Sequence, residues 1–287
     1  MEHHVKKMAS WFTLSTKAAL LTALFMLTNG NASSSVTVAH WTFSETNGPI
    51  VNTKPQADGK TPALHNGWVG YSTNIGDDNE VDRNGRRASF NGHRDSIILI
   101  DDENHSDFNP GDESLIVTVE FAVNQSALND EALAPKETWN LIQKGRFNNS
   151  GGQWKMQIRK APRGRLFLQC LINDNKPDTR REATQIPLKK TWITNSHILS
   201  GRCTLNRQAN ELKLELTDLT SGKSESPKTS TLPNDFGSIA PEAGECGTPE
   251  SWGGNVSIGN KPLCPDQELD TDDAFQGEVF NARIERF

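Results

Sequence analysis

Past residue 35 the chain alternates. In VTVAHWTF, Val36, Val38 and His40 share one parity and Ala39, Trp41 and Phe43 the other. SLIVTVEFAV sets Leu115, Val117, Val119, Phe121 and Val123 on one face, with Thr118 and Glu120 opposite. A two-residue period marks a half-buried strand, and the 3.6-residue period of an amphipathic helix is nearly absent. Trp139 and Leu141, then Trp154, Met156 and Ile158 across the turn NNSGG, predict a hairpin. A second hairpin turns at APRGR and groups Leu166, Leu168, Cys170 and Ile172. Further faces gather His197, Leu199, Gly201 and Cys203, then Leu212, Leu214 and Leu216, and finally Phe280, Ala282 and Ile284. SIILI, after the Asn91-Gly92 turn, reads as a half-buried strand, and the Ser-, Pro- and Gly-rich run 220–250 as a long connection. About a dozen short strands between Gly, Asn and Pro turns are most simply arranged as two antiparallel sheets packed face to face.

The first 35 residues break this pattern. Lys6 and Lys7 precede an apolar stretch from Ala18 to Leu27, and small residues follow to Ala32. That order is the form of a secretory signal, and the stretch is short of the ~20 residues of a membrane span. The expected organisation is a signal peptide over 1–32 and one domain over 33–287, exported to the periplasm or beyond. Removing 1–32 takes away three Lys and one Glu, leaving 27 basic against 35 acidic side chains and a net charge of −8. Phosphate recognition wants a basic face, so nucleic acid is not an expected partner.

All four cysteines lie in the exported part. An even count in an oxidising compartment favours two disulfides, most simply Cys170–Cys203 and Cys246–Cys264. Cys170 and Cys203 each share a face with the apolar set of their own strand, so an inter-strand bridge forms if those strands are neighbours. A zinc site would need a C-x-x-C pair or nearby His ligands, and neither is present.

The order of segments resembles the laminin-G-like, concanavalin A-like jelly rolls of exported, bacterial-type proteins. The carrying stretches are VAHWTFSETNG, HNGWV, ASFNGHRDSIIL, DFNPGDESLIVTVEF, WNLIQKGRFNNSGGQWKMQI, GRLFLQCLI, HILSGRCTL, VSIGNK and FQGEVFNARI, in that order from residue 38 to 284. The resemblance implies an all-β, two-sheet antiparallel jelly-roll sandwich whose common work is carbohydrate or glycoconjugate binding. Members that hold calcium often carry paired Asp in the last strand, where this chain has Phe280 and Asn281. A structural calcium would draw on Asn281 with Asp270 and Asp272 of the ELDTDD run. Relatives commonly have Trp-His-His before the second cysteine strand; here Asn195, Ser196 and His197 stand there, with Trp192 upstream.

Candidate chemistry narrows from there. His93-Arg94-Asp95 matches the opening of a kinase catalytic loop, but the metal-holding Asn five residues on is Ile100. Glu268 and Asp270 alternate as the paired carboxylates of a retaining glycosidase would, yet they follow Cys264 and Pro265 in a loop. The twelve-residue window from Asp102 to Glu113 fails as a calcium loop because Asp107 replaces its glycine. A lyase would need a base such as Tyr71, His40, His65, His93, His105 or His197 beside a group that neutralises a uronate. For binding, Trp68 and Trp252 in glycine-rich loops are the stacking candidates, with Arg146 and Asn148 at a hairpin tip, while Trp41, Trp139 and Trp154 belong to the core. The leading expectation is a glycan-binding module without catalysis. The alternatives are a polysaccharide-cleaving hydrolase or lyase on the same scaffold, and an adhesion or envelope domain that binds protein through an exposed apolar patch.

Overall fold

Each alternating segment leaves one apolar face that only a partner sheet can bury, and the chain supplies two sheets. The computed structural model describes residues 35–43, 67–69, 81–83, 87–92, 96–100, 108–124, 138–145, 151–174, 180–194, 196–241, 255–261 and 273–287, with backbone alone at 67–69 and 81–83. All belong to one unit, Ser34–Phe287. The strands are β1 (Val36–Trp41), β2 (Gly67–Val69), β3 (Val81–Arg83), β4 (Ala88–Asn91), β5 (Ile98–Ile100), β6 (Leu115–Val123), β7 (Thr138–Gly145) and β8 (Gln153–Ala161). They continue as β9 (Arg165–Asn173), β10 (Arg181–Pro187), β11 (Leu199–Asn206), β12 (Glu211–Asp218), β13 (Lys223–Ser224), β14 (Lys228–Thr231), β15 (Val256–Ile258) and β16 (Gln276–Arg286).

Among the described residues, a nine-stranded sheet runs β13-β12-β11-β6-β16-β4-β3, with β1 also on β16 and β14 also on β12. A seven-stranded sheet runs β10-β9-β8-β7-β15-β5-β2. The named pairs are antiparallel, and the fold is an all-β, jelly-roll sandwich. The expected faces meet between the sheets: Ala39, Trp41, Val117, Val119 and Phe121 from one, Trp154, Met156, Ile158, Leu166 and Leu168 from the other. Burying one such side chain contributes about 1.5–3 kcal/mol. Trp139 also lies in this core.

Cys170 on β9 and Cys203 on β11 are bonded, with Cα atoms 5.8 Å apart. Their strands belong to different sheets, so the bridge crosses the core instead of joining hydrogen-bonded neighbours. Facing sheets ordinarily stand about 10 Å apart. The tight approach is matched beside the bridge at Gly201, where a Cβ would lie 2.7 Å from Leu168 Cδ2 and 3.1 Å from Met156 Sδ.

Three expectations change. The register of β16 against β6 shifts between Val279 and Asn281, so Phe280 is a bulge residue. Val279, Ala282 and Ile284 are buried while Phe280 is half-buried, because one inserted residue reverses the parity of everything beyond it. SIILI is buried throughout, from Ser96 to Ile100, so both faces of β5, which runs between β15 and β2, are covered. The run 220–250 is not wholly a connection: β13 and β14 pair with β12, and Ile239 bridges to Gly111. Residues 1–32, Cys246 and Cys264 lie outside the described residues. Among those described, no helix is long and apolar enough to cross a membrane.

Candidate functional site

The face of the seven-stranded sheet turned away from the core is built from amides. One cross-strand row runs Trp68, Leu99, Ser257, Gln143, Lys155, Leu171, Ala183, through the registers of β2, β5, β15, β7, β8, β9 and β10. The next row runs Asn140, Gln157, Gln169, Gln185. Asn140, Gln143, Gln157, Gln169 and Ser257 are all buried, none more than 6% exposed. Buried polar groups are tolerated when hydrogen-bonded, and a primary amide, being neutral with both donors and an acceptor, suits that role.

The backbone of β7 makes this possible. A register shift between Asn140 and Ile142 leaves Leu141 as an extra residue. Residues three apart in a regular strand face opposite ways; the bulge brings Asn140 and Gln143 to one side. There Asn140 Nδ2 donates to Gln143 Oε1 at 2.7 Å, and Gln157 Nε2 donates to Gln169 Oε1 at 2.6 Å. Gln143 Nε2 and Gln153 Nε2 both donate to the Gly145 carbonyl at 3.1 Å. Two acceptors remain: Asn140 Oδ1 and Gln157 Oε1 are buried with no hydrogen-bond partner. Their residues stand directly opposite one another. An unsatisfied buried acceptor costs about 1–3 kcal/mol, a cost that a buried water or another donor at this position relieves.

Beside this pair lies a charged corner. The Asp273 carbonyl accepts from Asn140 N at 2.8 Å, which seats Asp273 against the amide row. Thr138 Oγ1 donates to Asp273 Oδ1. Lys155 Nζ and Lys261 Nζ each lie 3.6 Å from Asp273 Oδ2. The three charged side chains are only 10%, 15% and 13% exposed in the order Lys155, Lys261, Asp273. Burial pushes the Lys155 ammonium down to about 8 from 10.5; Asp273 opposes the fall, and Lys261 and Arg181 add to it. Chemically the platform offers two acceptors for hydroxyl donors, ammonium donors for an anionic oxygen, and an amine that exchanges a proton near neutral pH.

The sequence-predicted residues fall unevenly around it. Trp68 is not in a loop: its backbone lies on β2, at the end of the cross-strand row that contains Lys155. Arg146, Asn148, Trp252, Glu268, Asp270 and Asp272 lie outside the described residues, as do Tyr71, His65, His93 and His105. His197 stands away from the platform, on the other sheet's side, with Nδ1 2.9 Å from Asp218 Oδ2. Burial raises the Asp218 carboxyl, but hydrogen bonds from Ser221 and His197 outweigh it and leave the group below its ordinary value. Asn281 sits opposite Glu120, and its Oδ1 is buried without a partner. Calcium needs six to eight oxygens. Among the described residues no group of three or more acidic, His or Cys side chains that could hold a metal ion gathers there or elsewhere. A pocket of about 80 Å³ among Ser89, Phe90, Ala122, Asn124, Gly277 and Glu278 is well below the roughly 300 Å³ of an ordinary ligand site.

Sequence reasoning missed Asn140, Gln143, Lys155, Gln157, Gln169, Lys261 and Asp273. Glutamine and lysine at one parity in QWKMQIRK and again at Gln169 were the available signal, and Asp273 is the last letter of the ELDTDD run's acidic stretch.

No protein-family model matches the chain, and no curated protein matches it in sequence. Among solved structures, the binding domain of botulinum neurotoxin serotype G is similar at 11% identity and a TM-score of 0.51, over 88% of this chain and 47% of that one. This chain therefore spans about half the length of that domain. Weaker matches are the VIP36 exoplasmic/lumenal domain in its Ca2+/Man-bound form, at 10% identity and a TM-score of 0.41 over 82% and 88% of the two chains. Arcelin-5, a lectin-like defense protein from Phaseolus vulgaris, matches at 11% identity and a TM-score of 0.32 over 88% and 98%.

Proposed function

We propose that the protein is an exported module, residues 33–287 after removal of a signal over 1–32, that binds carbohydrate or glycoconjugate on the outer face of its seven-stranded sheet. The observation that carries this reading is the pair of buried, unpartnered acceptors, Asn140 Oδ1 and Gln157 Oε1, inside an otherwise bonded amide platform. Sugar hydroxyls are donors of the right size and number for such a surface, and a lattice of amides orients them without covalent chemistry. Trp68, four strand spacings or about 19 Å from Lys155 along one row, would serve a distant sugar of an extended chain. Trp252, Arg146 and Asn148 belong to the same proposal as rim contacts, and Cys246–Cys264 as a second disulfide of the exported form.

One feature favours a second reading. An amine at about 8 is uncharged in roughly a tenth of molecules at pH 7, enough to accept a proton from a polysaccharide and begin its cleavage. A protein-binding adhesion role needs a contiguous apolar patch, and the exposed large hydrophobics among the described residues are Val36 and Leu219.

Retention of the oxidised protein on a polysaccharide panel, with reducing and unsaturated ends assayed alongside, separates these readings. Retention without release is expected, together with about a tenfold weaker affinity in Gln157→Leu. Release of unsaturated ends replaces the binding module with a lyase, and silence across the panel removes the glycan altogether.

A further inference from the structure

We propose that one end of the sandwich, formed by the β8–β9 turn and the β12–β13 turn, docks peripherally on an anionic lipid bilayer, with arginines on the lipid phosphates and Leu219 in the interface. This contact goes beyond the glycan reading and does not depend on it.

Pairing brings the two turns to the same end. Across the core Cys203 is bonded to Cys170, and Gly201 stands against Leu168, so β11 and β9 run the same way and Leu199 lies toward Leu166. The turn Pro162–Gly164 comes directly before β9. Leu199 pairs with Asp218, the last residue of β12, and Leu219 N donates to the Ile198 carbonyl at 2.8 Å. The turn 219–222 follows there. Lys189, just past the bond from Leu188 N to the Leu166 carbonyl, pairs with Glu225 and ties the two regions together.

The first turn is cationic and open. Residues 138–173 hold seven Lys and Arg and no Asp or Glu, in a chain with 36 acids and 30 bases. Arg159, Arg163 and Arg165 are exposed, and among the described residues no carboxylate pairs with them. Arg159 and Arg165 are diagonal neighbours on the outer face, about 7–8 Å apart, while Lys160 faces the opposite way. Arg163 stands at the apex with φ 69°, a left-handed conformation that glycine adopts without strain. No part of that turn is buried.

The second turn is apolar at its tip. Leu219 is 46% exposed, and Val36, the other exposed large hydrophobic among the described residues, lies at the opposite end, where it pairs with Arg286 beside Leu115 and Leu205. Asp218 holds the turn from beneath, accepting from Thr220 N at 3.0 Å and from Ser221 Oγ. Of the acids described near this end, Asp218 is buried, Glu225 is held by Lys189, and Asp273 by Lys155 and Lys261. Cations set around an apex, beside a leucine on a second tip, fit a plane that is anionic at its surface and apolar beneath. A soluble polyanion would engage the cations alone. Each basic side chain near an anionic bilayer strengthens binding about fivefold, and buried apolar area adds a part that salt does not screen.

The test is cosedimentation of the oxidised protein, isolated from the exported fraction, with vesicles of phosphatidylglycerol and phosphatidylcholine, against pure phosphatidylcholine, at low and high salt. Binding to the anionic vesicles alone is expected, weakening as salt rises. Arg159→Gln, Arg163→Gln and Arg165→Gln should each lose about fivefold at low salt. Leu219→Ser should lose several-fold at both salt concentrations, and Val36→Ser should lose nothing. Equal partition to both kinds of vesicle, or none to either, overturns the proposal. So does a loss on the arginine substitutions with Leu219→Ser unchanged, which would make the ligand a soluble polyanion, to be confirmed with polygalacturonate. All three outcomes leave the glycan reading to its own panel.

Discussion

Lys155 is the residue at which burial works against stability. Its ammonium is buried and pushed from 10.5 to about 8, so below about pH 8 the folded chain carries a charge that the unfolded chain holds more easily. That difference corresponds to about 3 kcal/mol of destabilisation. It fades between about 8 and 10.5, where the native state sheds the proton first, and is gone above 10.5. Lys155→Met is therefore expected to be more stable than the parent at pH 7 by 1–3 kcal/mol and to lose that advantage by pH 10.5, as read by urea midpoints at the two pH values. A gain at pH 7 that persists unchanged at pH 10.5 would show that the lysine is not the source. The residue was invisible as a site in the sequence because alternation assigns Lys155, Gln157 and Gln169 to the side away from the core, and that side is ordinarily solvent. Only the register, which sets Asn140 opposite Gln157, shows these amides as one buried lattice.

At the scale of elements, the strands were legible wherever period two ran unbroken. Val117, Val119 and Phe121 on β6, and Leu212, Leu214 and Leu216 on β12, point where their spacing says they should. The bulges were not legible. Leu141 and Phe280 each add one residue to a strand, and nothing in the letters marks the insertion, although each decides which side chains share a face. The close approach of β11 to β8 and β9 was equally hidden, since Gly201 reads as a gap in a strand until Leu168 and Met156 are placed above it. Gly201→Val should cost about 1–3 kcal/mol by forcing those side chains off their rotamers, measured as a lower chemical-denaturation midpoint with unchanged slope. A neutral result would mean that the sheets part freely there.

At the scale of the whole molecule, the Cys170–Cys203 bridge ties one sheet to the other across the core. Closing a 33-residue separation constrains the unfolded chain by about 3–4 kcal/mol. The double variant Cys170→Ala, Cys203→Ala is expected to unfold at correspondingly lower urea, and a loss below about 1 kcal/mol would show that packing alone holds the sheets together. The cysteine count announced this bond, but not that it spans the sandwich, because parity tells which way a side chain points and not which sheet it meets. The position of β16 carries a further consequence. It is the last strand of the sheet to leave the ribosome, yet it is an interior one, flanked by β6 along its length and by β4 and β1 on the other side. Val36, near the start of the folded unit, pairs with Arg286 near its close. A nascent chain halted before Gln276 thus lacks the middle of its larger sheet and has nothing to lay β1 against. Closure of the larger sheet therefore waits on Gln276–Arg286, which makes its completion a long-range event in sequence and a slow step of folding.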